Sequence, residues 1–124
     1  MSEVKTIGGI AQLRIGDQML HYRDGLKHNF QRYVTSGVMG RDATFHGWTK
    51  KPHVPSIEGE FTHMPGWTTA QYEALAGDLI ASKIDGAGTL VLRDAKVVGE
   101  IDIDDDEGKV KLKFEGSGGE ELTA

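Results

Sequence analysis

Residues 100–115 alternate charge and hydrocarbon with a period of two, and that pattern leaves the chain few choices. Glu100-Ile-Asp-Ile-Asp104 alternates acid and apolar, and Lys109-Val-Lys-Leu-Lys-Phe-Glu115 alternates charge and apolar. Between them lies Asp105-Asp-Glu-Gly108, a turn that ends on glycine, where a left-handed residue costs little. Paired across that turn, Ile103 faces Val110 and Ile101 faces Leu112 on one side. Asp104 then faces Lys109, Asp102 faces Lys111 and Glu100 faces Lys113 on the other. Opposite charges directly across an antiparallel pair add roughly 0.2–1 kcal/mol each. A slip of one residue would bury the charges, so the register is strongly specified. The result is a sheet with one dry face and one charged face, which suits a structural or assembly protein better than an enzyme.

The rest of the chain reads as more of the same. Ile10–Ile15 and Gln18–Tyr22 flank Gly16-Asp17, a two-residue hairpin turn that puts Ala11, Leu13, Leu20 and Tyr22 on one face. Lys27–Thr35 has strand character with imperfect alternation. Val54–His63 reads as a strand anchored by Ile57 and Phe61. Thr68 followed by Gln71 is a capping-box pattern, and Tyr72, Leu75 and Ala76 share an apolar side, so a short helix is expected over about residues 68–76 with Gly77 just past its end. Asp78–Ile84 and Thr89–Val98 form a third hairpin around Asp85-Gly-Ala-Gly88. The expected fold class is mainly β (α+β), an antiparallel sandwich or partly open barrel of about six or seven strands with one short flanking helix.

Residues 36–55 stand apart. Three glycines and two prolines interrupt them, and Arg41, Lys50 and Lys51 accompany Phe45 and Trp48 without a sustained apolar period. A loop of that length in a compact domain is usually functional or ordered by a partner. Part of it, around residues 43–49, could form a short exposed hairpin. Trp and Arg are favoured anchors at protein contacts, so Arg41, Phe45, Trp48, Lys50 and Lys51 are the candidate inter-subunit residues. Stacking of single-stranded nucleic acid on Trp48 is the weaker alternative.

With 124 residues the chain is expected to be one domain over 1–124, with flexible ends at about 1–7 and 117–124. It contains no cysteine, which removes disulfides and thiolate metal sites and suits a reducing cytoplasm. The N-terminus lacks the apolar stretch of a signal peptide, and no apolar run approaches the roughly 20 residues of a membrane span. A net charge of −5 argues against a general basic surface for nucleic acid. His21, His28, His46, His53 and His63 show no metal-ligand spacing, and the acids at 102–107 lack the spaced pattern of a calcium loop. No phosphate loop and no nucleophile elbow occurs. Catalytic, cofactor-binding and metal residues are therefore assigned to none, and no cofactor is expected.

The order of these pieces is similar to a known family. Gly8-Gly-Ile-Ala11 opens the chain, His46-Gly-Trp-Thr49 leads to Pro52-His-Val-Pro55, and Ile57-Glu-Gly-Glu60 precedes the helix. Leu90-Val-Leu-Arg-Asp-Ala95 then leads into Gly99-Glu-Ile-Asp102, and Val110–Gly116 precedes a terminal Glu120-Glu-Leu122. Together they resemble the tail tube protein of Mu-like contractile-tailed bacteriophages. The resemblance implies hexameric rings stacked into a tube inside a contractile sheath, a conduit for DNA ejection in which inner strands of six subunits form a continuous barrel. It also implies a loop that reaches the next ring. The partners would be further copies of the chain and the sheath, baseplate, tape-measure and tail-terminator proteins. DNA would pass without sequence-specific binding, there would be no membrane anchor, and the location would be the virion tail, assembled in the host cytoplasm. The competing expectations are a stand-alone β-barrel module binding a ligand or peptide, and a tube subunit of a related injection machine.

Overall fold

The computed structural model describes residues 10–83 and 88–123. Strands β1 (Ile10–Ile15) and β2 (Gln18–Leu20) form the first hairpin, with Leu13 opposite Leu20. Next come β3 (Tyr22–Asn29), β4 (Tyr33–Met39), β5 (Phe45–Pro52) and β6 (Ser56–Thr62). Helix α1 (Thr69–Glu73) precedes β7 (Ala76–Lys83), β8 (Thr89–Asp104), β9 (Lys109–Glu115) and β10 (Gly118–Leu122). The main sheet is antiparallel in the order β2-β1-β7-β8-β9-β6-β3, and β10 also pairs with β8. Its two end strands, β2 and β3, are joined by His21 alone. Such a sheet must curl until its ends nearly meet, and it forms a nearly closed barrel.

The inward faces follow the alternation. Ile57, Gly59 and Phe61 of β6 oppose Phe114, Leu112 and Val110 of β9, and all are buried. Leu13, Ile15, Leu79, Ala81, Leu90 and Leu92 complete the same core. Phe61 sits edge-on to both Tyr22 and Phe114, with ring centroids 6.4 and 6.2 Å apart, the geometry that the ring quadrupoles favour.

Strand β8 carries two of the irregularities that let the sheet bend. At its middle Arg93 and Asp94 oppose the single residue Asp78, Asp94 takes φ +50°, and its N–H donates to Asp78 Oδ1 at 3.0 Å. This bulge flips the inward phase from Leu90 and Leu92 to Ala95 and Val97. A second irregularity follows at Gly99, which takes φ +71°. There residues 99–101 oppose Leu112 alone, between the pairs Val98–Lys113 and Asp102–Lys111.

Several expectations need correction. Glu100 does not face Lys113, because the Gly99 bulge moves Val98 opposite Lys113 and leaves Ile101 to share Leu112 with Gly99 and Glu100. The strands expected as 89–98 and 100–104 are one continuous strand. The segment at 36–55 is not a loop but most of a two-stranded ribbon that begins at Tyr33. The helix spans only Thr69–Glu73, and Gly77 lies inside β7. Gly77 is needed there because the β1–β2 turn approaches it closely: a Cβ on it would fall 3.0 Å from the Gly16 Cα. Within the end expected to be flexible at 117–124, Gly118–Leu122 run as β10 along β8, in the same register as β9, and Ala124 lies outside the described residues. The glycines near it serve packing, since a Cβ on Gly119 would strike the Phe30 ring and one on Gly116 would strike the Arg93 carbonyl. The opening Gly8-Gly9, the end at 1–7 and most of the turn read at 85–88 lie outside the described residues.

The short helix is held by its capping box and by Tyr72. Gln71 Oε1 accepts the Thr68 N–H at 2.8 Å. The fully buried Tyr72 hydroxyl accepts the Met64 N–H at 2.9 Å and lies 2.8 Å from His63 Nδ1. Replacing Tyr72 with Phe strands a buried donor, and urea unfolding is expected to show a loss of about 1–3 kcal/mol. Phe114→Ala, which empties the centre of the core, is expected to cost about 3–5 kcal/mol in the same measurement.

Candidate functional site

Two surfaces carry what the sequence singled out. The first is the ribbon. Tyr33–Pro52, Thr35–Lys50, Gly37–Trp48 and Met39–Phe45 are opposed pairs, so these residues share one face. Contacts agree with that assignment: Phe45 and Trp48 pack edge-on at 5.0 Å over the open space left by Gly37, and Lys50 Nζ lies 5.7 Å above the Tyr33 ring. The opposite face carries Val34, Ser36, Val38, Thr49 and Lys51. The tip closes through Gly40 N–H to the Thr44 carbonyl at 2.9 Å. Asp42 there accepts the Thr44 N–H, and hydrogen bonds from Thr44 hold its carboxyl below the usual range. At the base, His53 donates its backbone N–H to the Arg32 carbonyl and sets Nδ1 3.0 Å from the Gln31 carbonyl.

No residue of either ribbon strand is buried. Trp48 is 71% exposed, Met39 60%, Tyr33 52% and Phe45 50%, all on one face. A two-stranded hairpin is marginal in water on its own, and a continuous apolar patch marks an interaction surface. Of the sequence candidates, Phe45, Trp48 and Lys50 share this face, Lys51 lies on the other, and Arg41 sits at the tip. Tyr33 and Met39 were missed. Tyr33-Val-Thr-Ser-Gly-Val-Met39 holds no apolar–polar alternation that would mark them as one face.

The second surface is the outer face of β6, β9 and β8. Asp102 is opposite Lys111 and Asp104 opposite Lys109. On the other edge of β9, Glu60 is opposite Lys111 and Glu58 opposite Lys113. The lysines of β9 thus form a stripe between two acidic stripes. The close contacts differ from the pairs the hairpin pattern suggests. Lys109 Nζ lies 2.9 Å from Glu107 and 3.7 Å from Glu60, which raises its pKa, Glu107 first. Asp104 instead closes the turn by accepting the N–H groups of Asp106 and Glu107 at 3.1 Å each. Arg93 pairs with Glu120 at 2.8 Å and ties β10 to β8, which raises the pKa of the guanidinium.

The histidines are dispersed. His28 meets Glu121 at 3.0 Å, His46 lies 3.9 Å from Asp42, and no group of three metal-ligating side chains occurs among the described residues. The geometry is that of a structural β-barrel with an outstretched apolar arm.

The chain belongs to the phage tail tube protein family, whose pattern matches residues 4–121. It is a structural component of a phage tail, and the family is not an enzyme class. Membership implies assembly with other tail components in the virion. Among solved structures, the tube-terminating cap of the anti-feeding prophage shares 15% identity over 99% of this chain and 97% of that one, with a TM-score of 0.55. That likeness is one of fold. No curated protein matches the chain.

If the lysine stripe balances its two acidic neighbours, reversing one charge should cost more than deleting it. Lys111→Glu is expected to lower the urea midpoint more than Lys111→Gln, because it sets three acids in a row. The gap should close in 1 M salt, where the screening length falls to about 3 Å. Equal midpoints at low salt would show that the stripe is not electrostatically coupled.

Proposed function

We propose that this chain builds the inner tube of a contractile phage tail by stacking hexameric rings, and that DNA leaves the capsid through the lumen. The single observation that carries the reading is the ribbon of residues 33–52, which leaves the barrel with four large apolar side chains on one uncovered face. Seven residues at about 3.4 Å each give it a reach of roughly 24 Å, enough to cross onto a neighbouring subunit. The acidic balance of the chain fits a conduit that a polyanion passes without adhering, since adhesion needs clustered Lys and Arg. The sheath, baseplate, tape-measure and terminator proteins would be its partners in the tail, and no cofactor takes part. The fold likeness to an anti-feeding prophage cap supports a second reading, a tube subunit of a phage-derived injection machine.

Light scattering after size exclusion, over a concentration series, is expected to show hexamers or larger species, with rings or tubes in negative stain. Monomers at every concentration, even with a tail-tip initiator, would overturn the tube reading. Replacing Ser36–Thr49 by Asn-Gly removes the ribbon beyond its first pairs. Because the ribbon buries nothing in the core, the shortened protein is expected to melt near the parent temperature while failing to assemble.

A further inference from the structure

The ribbon presents an apolar face with unpaired cations, and the barrel carries a groove of matching chemistry elsewhere. Residues of the Gly99 bulge and of helix α1 come together on the surface. Between them lies a groove of about 450 Å³, with Val97 and Ile101 among its lining. Those two side chains are partly buried against the core and supply apolar floor. Glu73, Glu100 and Asp102 line the same groove and are exposed, and no basic residue lines it. None of the three carboxylates has an ion-pair or hydrogen-bond partner among the described residues.

The ribbon has the converse composition. Over residues 33–52 it holds Arg41, Lys50 and Lys51 against Asp42, a net of +2, in a chain whose total is −5, so the remainder carries −7. Among the described residues none of Arg41, Lys50 and Lys51 is ion-paired, and the Lys50 ammonium lies over the Tyr33 ring. Apolar surface flanked by cations on one side meets apolar surface rimmed by carboxylates on the other.

We propose that the Trp48 face of the ribbon seats in the groove between α1 and the Gly99 bulge of a second copy. Trp48 and Phe45 then cover Val97 and Ile101, and Lys50 and Arg41 meet the carboxylates of the rim. The proposal rests on the tube reading and names the surface by which one copy holds the next. Charge complementarity selects this occupant: a neutral partner would leave Glu73 and Glu100 without a counter-charge at the rim, and an acidic one would oppose them.

The chain has no cysteine, so single cysteines report contacts cleanly. Thr35→Cys lies on the Trp48 face opposite Lys50, and Thr69→Cys lies at the groove rim. Both residues are exposed. An equal mixture of the two variants, oxidised under assembly conditions, is expected to give a disulfide-linked dimer. Thr35→Cys mixed with Gln12→Cys, on β1, is not. Adding Lys50→Glu to the first partner, or Glu100→Lys to the second, should each cut the yield by about tenfold, the effect of roughly 1.4 kcal/mol, and combining the two should restore it. Tubes that form without this cross-link would overturn the docking and leave the tube reading standing. A cross-linked dimer without rings or tubes would do the reverse, and neither product would overturn both. Equal yields with Gln12→Cys, or binding of the ribbon to anionic vesicles in place of a second copy, would also overturn it.

Discussion

Everything in this barrel depends on the unbroken alternation of β6 and β9. Three inward residues on each strand, Ile57, Gly59 and Phe61 against Phe114, Leu112 and Val110, meet in register and are buried. The hydrophobic effect fixes that register, because a one-residue slip would exchange Phe114 and Leu112 for lysines. With this wall set, the outward lysines of β9 fall between the acids of β6 and β8 without further specification. The charged face is therefore a consequence of the dry one.

Strand β8 does the opposite work. It is long enough to pair with β7 on one edge and with β9 and then β10 on the other. A straight strand of that length could not follow a closing sheet. The bulges at Asp94 and Gly99 let it turn, and each leaves something on the surface. The first re-phases the inward side chains and sets Arg93 against Glu120. The second places Gly99, Glu100 and Ile101 on the lining of the groove beside α1. Curvature of the fold and the relief of its surface have the same origin.

The ribbon is the one element that the core does not explain. It contributes nothing buried, and its backbone hydrogen bonds are its own. In a free subunit it is held by ladder bonds, by the Asp42 turn and by the contacts of His53. A hairpin of this kind gains its remaining stability from whatever covers its apolar face, which couples its order to assembly.

The sequence by itself determined the antiparallel β class, the hairpins at 10–20 and 100–115, the capping box at Thr68 and Gln71, and the importance of Phe45 and Trp48. These are short-range statements: alternation, turn chemistry and capping act over a few residues and are written in adjacent letters. Only the tertiary structure decided that residues 33–52 form a ribbon with one aromatic face, since its glycines and threonines carry no strong period and the pairing is set across the turn. It alone placed Gly77 inside a strand, where its missing side chain admits Gly16 from a distant hairpin. It alone moved Val98 opposite Lys113. A bulge adds residues to one strand and is visible only against its partner. The same holds for β10, whose glycines suggest a loose tail until Phe30 and β8 are packed upon it. Local patterning selects the elements, and the closing of the sheet decides which of them touch.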